Sequence, residues 1–398
     1  MDPLVVTGAG VVSAIGVGKE ETLCSLQSGT TGIHEMQLLP SCHRDLPVGE
    51  IRLSNEEMRL MLGSEDDSLL TRNALIGRLA LREALLDACL DSKTITTAHL
   101  VSATTVGGMD HREVLHAGEK DCDSLHAAIA TYNCADCTKM IARPFGQFAS
   151  LSTVSTACSS ATNAIITGAN MLRCGLADIV VAGGTECLTM FHLNGFNTLM
   201  ILDSHQCKPF DKERAGLNLG EGAAYLVMET AASASQRGAK PLCRLSGYGN
   251  ACDAYHQTAS SPEGEGAVLA MSQALKMAHL KPGDIQYVNA HGTGTPNNDE
   301  SESHAIMRVF GKNMPPVSST KSFTGHTTSA SGSIEAVFCI LALQQQFLPV
   351  NLNWQLPMDN GFIPVTHPHP DTEIRHVMSN AFGFGGNDSS LIFSKVDM

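Results

Sequence analysis

Two kinds of segment alternate along the chain. Short runs rich in β-branched and apolar residues occur at 4–7, 179–182, 225–228 and 391–393, a length that suits buried strands. Between them lie longer stretches in which apolar positions return every three to four residues, the period of a helix with one buried face. Over 73–90, Leu75, Leu79, Leu86 and Leu90 fall on one broad face, with Arg78, Arg82 and Asp87 elsewhere. Over 159–173, Ala161, Ala164, Ile165, Gly168 and Leu172 keep helical spacing, and Gly175 supplies the stop. A third helix is predicted over 267–279, ending before Lys281-Pro282-Gly283. A fourth is predicted over 334–346, with Ile334, Val337, Phe338 and Leu341 as its stripe and Gln344-Gln345-Gln346 as its polar end. Strands alternating with helices predict an α/β fold.

One internal echo stands out. Val154-Ser-Thr-Ala-Cys158-Ser-Ser, followed by a helix, resembles Val317-Ser-Ser-Thr-Lys321-Ser with its later Ser331-Gly332-Ser333 helix start. Each is a strand, a small-residue turn and a helix, which alone does not establish a duplication.

Composition narrows the function. The 398 residues carry 26 Lys+Arg against 40 Asp+Glu, a formal net charge of −14. A protein that lives on phosphate contacts needs the opposite surplus, so nucleic acid is not the expected partner. A hydrophobic share of 43% with 17% charged residues gives a large core and excludes a disordered chain. The thirteen cysteines are odd in number and scattered from Cys24 to Cys339, and the N-terminus lacks a signal-like apolar stretch. Both features predict a reducing cytosol. No apolar run approaches the ~20 residues of a membrane helix.

Several motifs compete for a chemical role. Thr7-Gly8-Ala9-Gly10 invites a dinucleotide-binding reading, but the third glycine is missing and no helix start follows. Tight backbone packing at a strand end accounts for it better. Cys134 and Cys137, with Cys122, His111, His116 and His126 upstream, suggest zinc, yet no second ligand pair has regular spacing. Structural cysteines are the better reading, and no metal site is expected. Cys158 is different, because it lies at the start of a helix, where unpaired amides and the dipole favour a thiolate. A buried inert cysteine is the competing reading. His291, in Asn289-Ala-His291-Gly-Thr293-Gly-Thr295-Pro296, leaves a strand for a Gly/Thr loop, and His326 ends Ser319-Thr-Lys321-Ser-Phe-Thr-Gly325-His326 in the same way. One cysteine and two histidines at strand-to-loop transitions, with Lys321 nearby, make a catalytic constellation.

At these residues the sequence resembles the β-ketoacyl-acyl-carrier-protein synthases, the elongating condensing enzymes of fatty acid and type II polyketide assembly. The matching motifs run nearly end to end: Thr-Ala-Cys-Ser-Ser at 156–160, Ala-Gly-Gly-Thr-Glu at 182–186, Lys-Pro-Phe-Asp-Lys-Glu-Arg from 208, Asp-Ala-Tyr-His at 253–256, and the stretches at 5–13, 220–222, 289–296, 319–326 and 380–388. The resemblance implies a thiolase-like fold, five layers α-β-α-β-α from two pseudo-repeated halves, 1–245 and 246–398. It also implies a dimer, with either a second copy or a cysteine-less chain-length partner, and acyl carrier protein as substrate carrier. No cofactor is implied beyond the carrier's phosphopantetheine.

By the same resemblance Cys158 is the nucleophile, and His291 and His326 stabilise the enolate left by malonyl decarboxylation. The amides of Cys158 and Phe384 form the oxyanion hole, and Phe384 gates the acyl pocket. Thr293 and Thr295 bind pantetheine, and Lys321 with Glu335 orients and tunes His326. A buried structural ion pair is the other reading of Lys321 and Glu335.

Three departures point to a specialised polyketide or polyene pathway. Gly385-Gly386-Asn387-Asp388 stands where relatives read Gly-Gly-Thr-Asn, Glu65-Asp66-Asp67 stands where they are basic, and 109–136 has few matches. The acidic run would repel an acidic carrier, which leaves Lys139, Arg143, Lys208, Lys212 and Arg214 as candidate docking residues. Two rivals are weaker. A non-catalytic chain-length partner would lack the nucleophile, and a coenzyme A thiolase would need a second cysteine near the C-terminus, where none follows Cys339.

Overall fold

The computed structural model describes residues 2–63, 70–110, 113, 131–371 and 373–396. Cys122, His111, His116, His126, the Glu65-Asp66-Asp67 run and most of 109–136 lie outside these described residues.

Among the described residues five strands form the body of the sheet in the first half: β1 (Leu4–Ser13), β2 (His99–Ala103), β3 (Ser150–Val154), β4 (Ile179–Glu186) and β5 (Gly222–Thr230), with the two-residue strand Gly16–Val17 turned back on the end of β1. Five build the second: β6 (Cys243–Cys252), β7 (Tyr287–Asn289), β8 (Val317–Ser318), β9 (His376–Gly383) and β10 (Asn387–Ser394). In the first half β1 pairs antiparallel with β5 and β5 with β4, while β4, β2 and β3 run parallel. The second half repeats this pattern strand for strand, β6 with β10, β10 with β9, then β9, β7 and β8 in parallel. The internal echo thereby acquires a structural meaning, because β3 and β8 occupy equivalent places and each leads into a small-residue turn and a helix. The halves join where Val5 and Val6 pair with Arg244 and Cys243, giving one continuous sheet order, β8-β7-β9-β10-β6-β1-β5-β4-β2-β3.

Helices α1 (Arg72–Asp87) and α2 (Cys134–Ala142) cover the outer face of the first half. Helices α3 (Ser160–Arg173) and α7 (Ser331–Gln345) pack on each other between the halves, and α5 (Glu265–Ala278) and α6 (Pro296–Phe310) cover the second. A shorter helix, α4 (Met190–Thr198), lies beside the site. The architecture is the five-layered thiolase-like fold.

The centre explains why α7 lacks the amphipathic stripe read from its sequence. Ser331 through Leu343 are all buried, because a helix between two half-sheets has no solvent face. Each fully buried Leu, Ile or Phe contributes about 1.5–3 kcal/mol, so truncating Phe338 would cost ~3–5 kcal/mol.

Local expectations fail in instructive places. Thr7-Gly8-Ala9-Gly10 lies inside β1, not at a strand end. A Cβ at Gly10 would stand 2.1 Å from the Ala80 carbonyl oxygen, so the glycines let α1 press onto the strand. On α1, Arg78 is buried and its Nε donates to the Met140 carbonyl at 2.9 Å, while Leu86 is 70% exposed. The reversal follows from α2, which covers the first half of α1 through Arg78 and Gly77 and leaves its last turn open.

Candidate active site

Three turns bring the chemistry together. The first is the bend from β3 into α3, where Ala157 adopts φ +51° immediately before Cys158. A non-glycine residue in the left-handed region persists only where its surroundings fix it. Here Ser160 Oγ accepts the Thr156 N–H at 2.8 Å and Ser159 Oγ donates to the Thr156 carbonyl at 2.8 Å, locking the turn. The second follows β7, where Glu302 of α6 accepts the N–H groups of His291 and Gly292 at 2.8 and 2.7 Å. The third precedes α7, where the His326 N–H donates to the Asn218 carbonyl at 2.7 Å.

His326 Nε2 lies 3.1 Å from the Cys158 sulfur and Nδ1 lies 3.0 Å from Ser331 Oγ. The His291 ring meets the His326 ring edge to face at 5.2 Å, and its Nδ1 is buried without a partner among the described residues. The Phe384 N–H faces the Cys158 sulfur closely enough to favour its thiolate. The Phe384 ring stacks on Phe196 of α4, centroids 5.9 Å apart, and closes one wall of a cavity of about 320 Å³ that also holds both histidines, Thr293 and Thr295. The two threonine hydroxyls are 2.9 Å apart. A larger cavity of about 670 Å³, beside Arg72 and Glu221, has neither thiol nor imidazole among its described lining residues.

Lys321 and Glu335 form a buried ion pair with Nζ and Oε1 2.6 Å apart. Its charge reaches both histidines. Burial, with Lys321 second, holds each imidazole well below its ordinary range, so both are neutral. Ser331, not Lys321, makes the contact that orients His326, and the sequence reading missed it. The hydroxyl can donate or accept, so it serves either imidazole tautomer.

Cys158 is not the resting thiolate that its helix position suggests. Burial pushes the thiol up to about 11, and the Phe384 N–H, Lys321 and its own N–H offset only part of that. One further residue went unread, Phe196, which backs the gate; Asn387, noted in the sequence only as a departure, has an Oδ1 that accepts from Ser159 Oγ and Asn163 Nδ2, both at 2.7 Å, tying the gate loop to α3. The ligand atoms of Cys158, His291 and His326 all lie within 4.8 Å of one another, close enough to chelate a soft cation. Such an ion would occupy the thiol and imidazole that the organic chemistry uses.

Residues 1–234 match the family model described as Beta-ketoacyl synthase, N-terminal domain, and 242–355 match Beta-ketoacyl synthase, C-terminal domain. The chain is 32% identical to 3-oxoacyl-[acyl-carrier-protein] synthase 2 of Staphylococcus aureus, covering 99% of this chain and 98% of that protein. Among solved structures it resembles the ishigamide ketosynthase/chain length factor, with TM-score 0.92, 29% identity and full coverage of both chains. It also resembles the ketosynthase ApeO in complex with its chain length factor ApeC from Xenorhabdus doucetiae, with TM-score 0.83 and 29% identity over 99% of this chain and 98% of that one. With both halves of the family matched and its condensing relatives aligned end to end, the chain belongs to the β-ketoacyl synthase family and is a condensing acyltransferase of fatty acid or polyketide elongation.

Proposed function

We propose that the chain joins an acyl group held on Cys158 to a malonyl unit on acyl carrier protein, with loss of carbon dioxide. The observation that carries this is the convergence of Cys158, His291, His326 and the Phe384 N–H on one cavity. In the first half-reaction His326 takes the thiol proton as the sulfur attacks the carrier thioester, and returns it to the departing pantetheine thiol. The amides of Cys158 and Phe384 stabilise the oxyanion.

In the second, malonyl carrier enters and loses its carboxylate as carbon dioxide, and the enolate oxygen is stabilised by the two imidazole N–H groups. The enolate carbon attacks the acyl carbonyl, the Cys158 sulfur leaves, and one proton taken up from solvent restores the thiol. Neutral imidazoles suit this task, because each donates to the enolate without first giving up a proton. Thr293 and Thr295 line the approach of the pantetheine arm. The phosphopantetheine arrives with the substrate, and the enzyme needs no cofactor of its own.

A dimer completes the reading. β3 is a sheet edge with Leu151 41% exposed, a strand open to pairing with another chain. Two of the similar solved structures are ketosynthases with a chain length factor, which supports a cysteine-less partner over a second copy and a specialised polyketide or polyene pathway over housekeeping synthesis. Free thiols throughout the described chain suit a reducing cytosol, and no described helix is long and apolar enough to cross a membrane.

The test is Cys158→Ala. It should take no acyl group by mass spectrometry and form no β-ketoacyl product, while still folding and releasing some carbon dioxide from malonyl carrier. Elongation by the variant would overturn the assignment.

A further inference from the structure

Asp388, the second residue of β10, occupies one of the positions where the sequence departs from its relatives. Its side chain is 4% exposed, and among the described residues no N–H or O–H donates to its carboxylate. Two other carboxylates face it, Asp253 from the loop after β6 and Glu302 from α6. Asp388 and Asp253 meet where Gly266 of α5 leaves room: a Cβ there would lie 2.3 Å from Asp388 Oδ2 and 2.8 Å from the Asp253 Cβ.

The three acids are not equivalent. Asp253 accepts the N–H groups of Tyr255 and Ser261 at 3.1 and 3.0 Å, and Glu302 accepts those of His291 and Gly292. Asp388 accepts none. Other charges on the packed elements lie apart from it: Glu265 of α5 and Arg308 of α6 pair with each other at 3.0 Å on the exposed side, and Asp299 and Lys321 act on Glu302. Carboxylates crowded into a largely buried space do not all ionise at neutral pH: burial raises Glu302 as well, to about 7, and Asp388, which no described donor reaches, keeps its proton to higher pH than Glu302. Burial first, then the Asp253 and Glu302 charges, push the Asp388 carboxyl up to about 8.

Asp253 also holds the gate. Its N–H donates to the Gly386 carbonyl at 3.0 Å, and a Cβ on Gly386, at φ +75°, would fall 2.2 Å from its Oδ1. Gly386 belongs to the same turn as Phe384, the residue whose N–H faces the Cys158 sulfur and whose ring walls the cavity.

We propose that Asp388 is a proton-dependent positioning residue for the gate: neutral, it leaves Asp253 free to hold Gly386 and keeps Phe384 over Cys158; ionised, it repels Asp253 and releases the turn. The inference rests on the gate role proposed for Phe384, but its readout does not, since loop protection is measured without turnover.

The experiment is amide hydrogen exchange of the peptide spanning 383–388, corrected for intrinsic rates, from pH 6.5 to 9.5 in wild type and in Asp388→Asn, which keeps the shape and removes the charge. Between pH 7 and 9 the ionised fraction of Asp388 rises from about a tenth to about nine tenths for a carboxyl near 8. Wild-type exchange should therefore climb severalfold with its midpoint near pH 8, and the variant should stay flat. A merely structural Asp388 would shift protection equally at every pH. Parallel profiles in the two proteins, or a flat wild-type profile, overturn the proposal. If the variant does not fold, the wild-type profile alone decides. Failure of the condensation chemistry would leave these exchange profiles unchanged, so the two readings fall separately.

Discussion

The Cys158 sulfur and His326 Nε2 stand 3.1 Å apart, with both partners neutral at rest, the thiol held protonated by burial and the imidazole held unprotonated by burial and the Lys321 charge. The pair is therefore poised, and the nucleophile forms only as a thioester carbonyl settles against the two amides. Alkylation of Cys158 by iodoacetamide should accordingly accelerate about tenfold per pH unit from pH 7 to 10, since the thiolate fraction climbs steadily below a thiol of about 11. Mass spectrometry of the labelled peptide reads this directly, and a plateau near pH 7 would mean a resting thiolate.

The two histidines should separate by half-reaction. His291→Ala and His326→Ala each remove one enolate donor, worth about 10² to 10³ in decarboxylation rate by analogy with oxyanion-hole deletions. Only His326 touches the sulfur, so only His326→Ala should also slow acyl transfer, as followed by loading of a labelled acyl carrier substrate. Equal loading rates in the two variants would contradict the geometry.

Ser331→Ala removes the hydroxyl that holds His326 Nδ1. Loss of one such hydrogen bond is worth about 0.5–1.5 kcal/mol, so kcat should fall up to about tenfold with little change in KM. Steady-state kinetics check it, and Ser331→Thr should restore most of the loss.

Lys321→Met strands the Glu335 carboxylate in the core, where breaking a buried pair costs about 3–5 kcal/mol. Urea denaturation should show that loss. The double variant Lys321→Met/Glu335→Leu should recover most of it while leaving condensation impaired, because the charge that adds to burial in holding the imidazoles neutral, and that favours the Cys158 thiolate, is gone.

Among the candidate docking residues, Lys139 is paired with Asp136 at 3.0 Å and Lys212 with Asp359 at 2.6 Å, whereas Lys208 lines an open depression beside His34 and His205. Lys208→Glu should raise KM for carrier-bound substrate and leave a short pantetheine thioester unaffected. Unchanged carrier kinetics would reject this face.

The sequence announced Cys158, His291 and His326 because a reactive residue at a strand end needs small neighbours, and those turns are written in consecutive letters. Ser331, Phe196 and Asn387 carry no such signature. An ordinary serine at a helix start becomes functional only because the chain returns it to His326, and Asn387 matters through a contact 228 positions away in sequence. The fold was readable from alternating periodicities, but burial of Arg78 and exposure of Leu86 depend on where α2 ends. The thiol was misjudged because the helix terminus is local and visible in sequence, while burial, the larger effect, is not.

The duplicated architecture places the nucleophile in one half and both imidazoles in the other, with 168 positions between Cys158 and His326. During translation at roughly 5–20 residues per second, Cys158 is made ~10–30 s before His326. In that interval the sulfur has no imidazole to take its proton and no Phe384 amide beside it. Catalytic competence therefore needs both halves, and it arrives only when the last strand pair, β9 with β10, brings the Phe384 turn to Cys158.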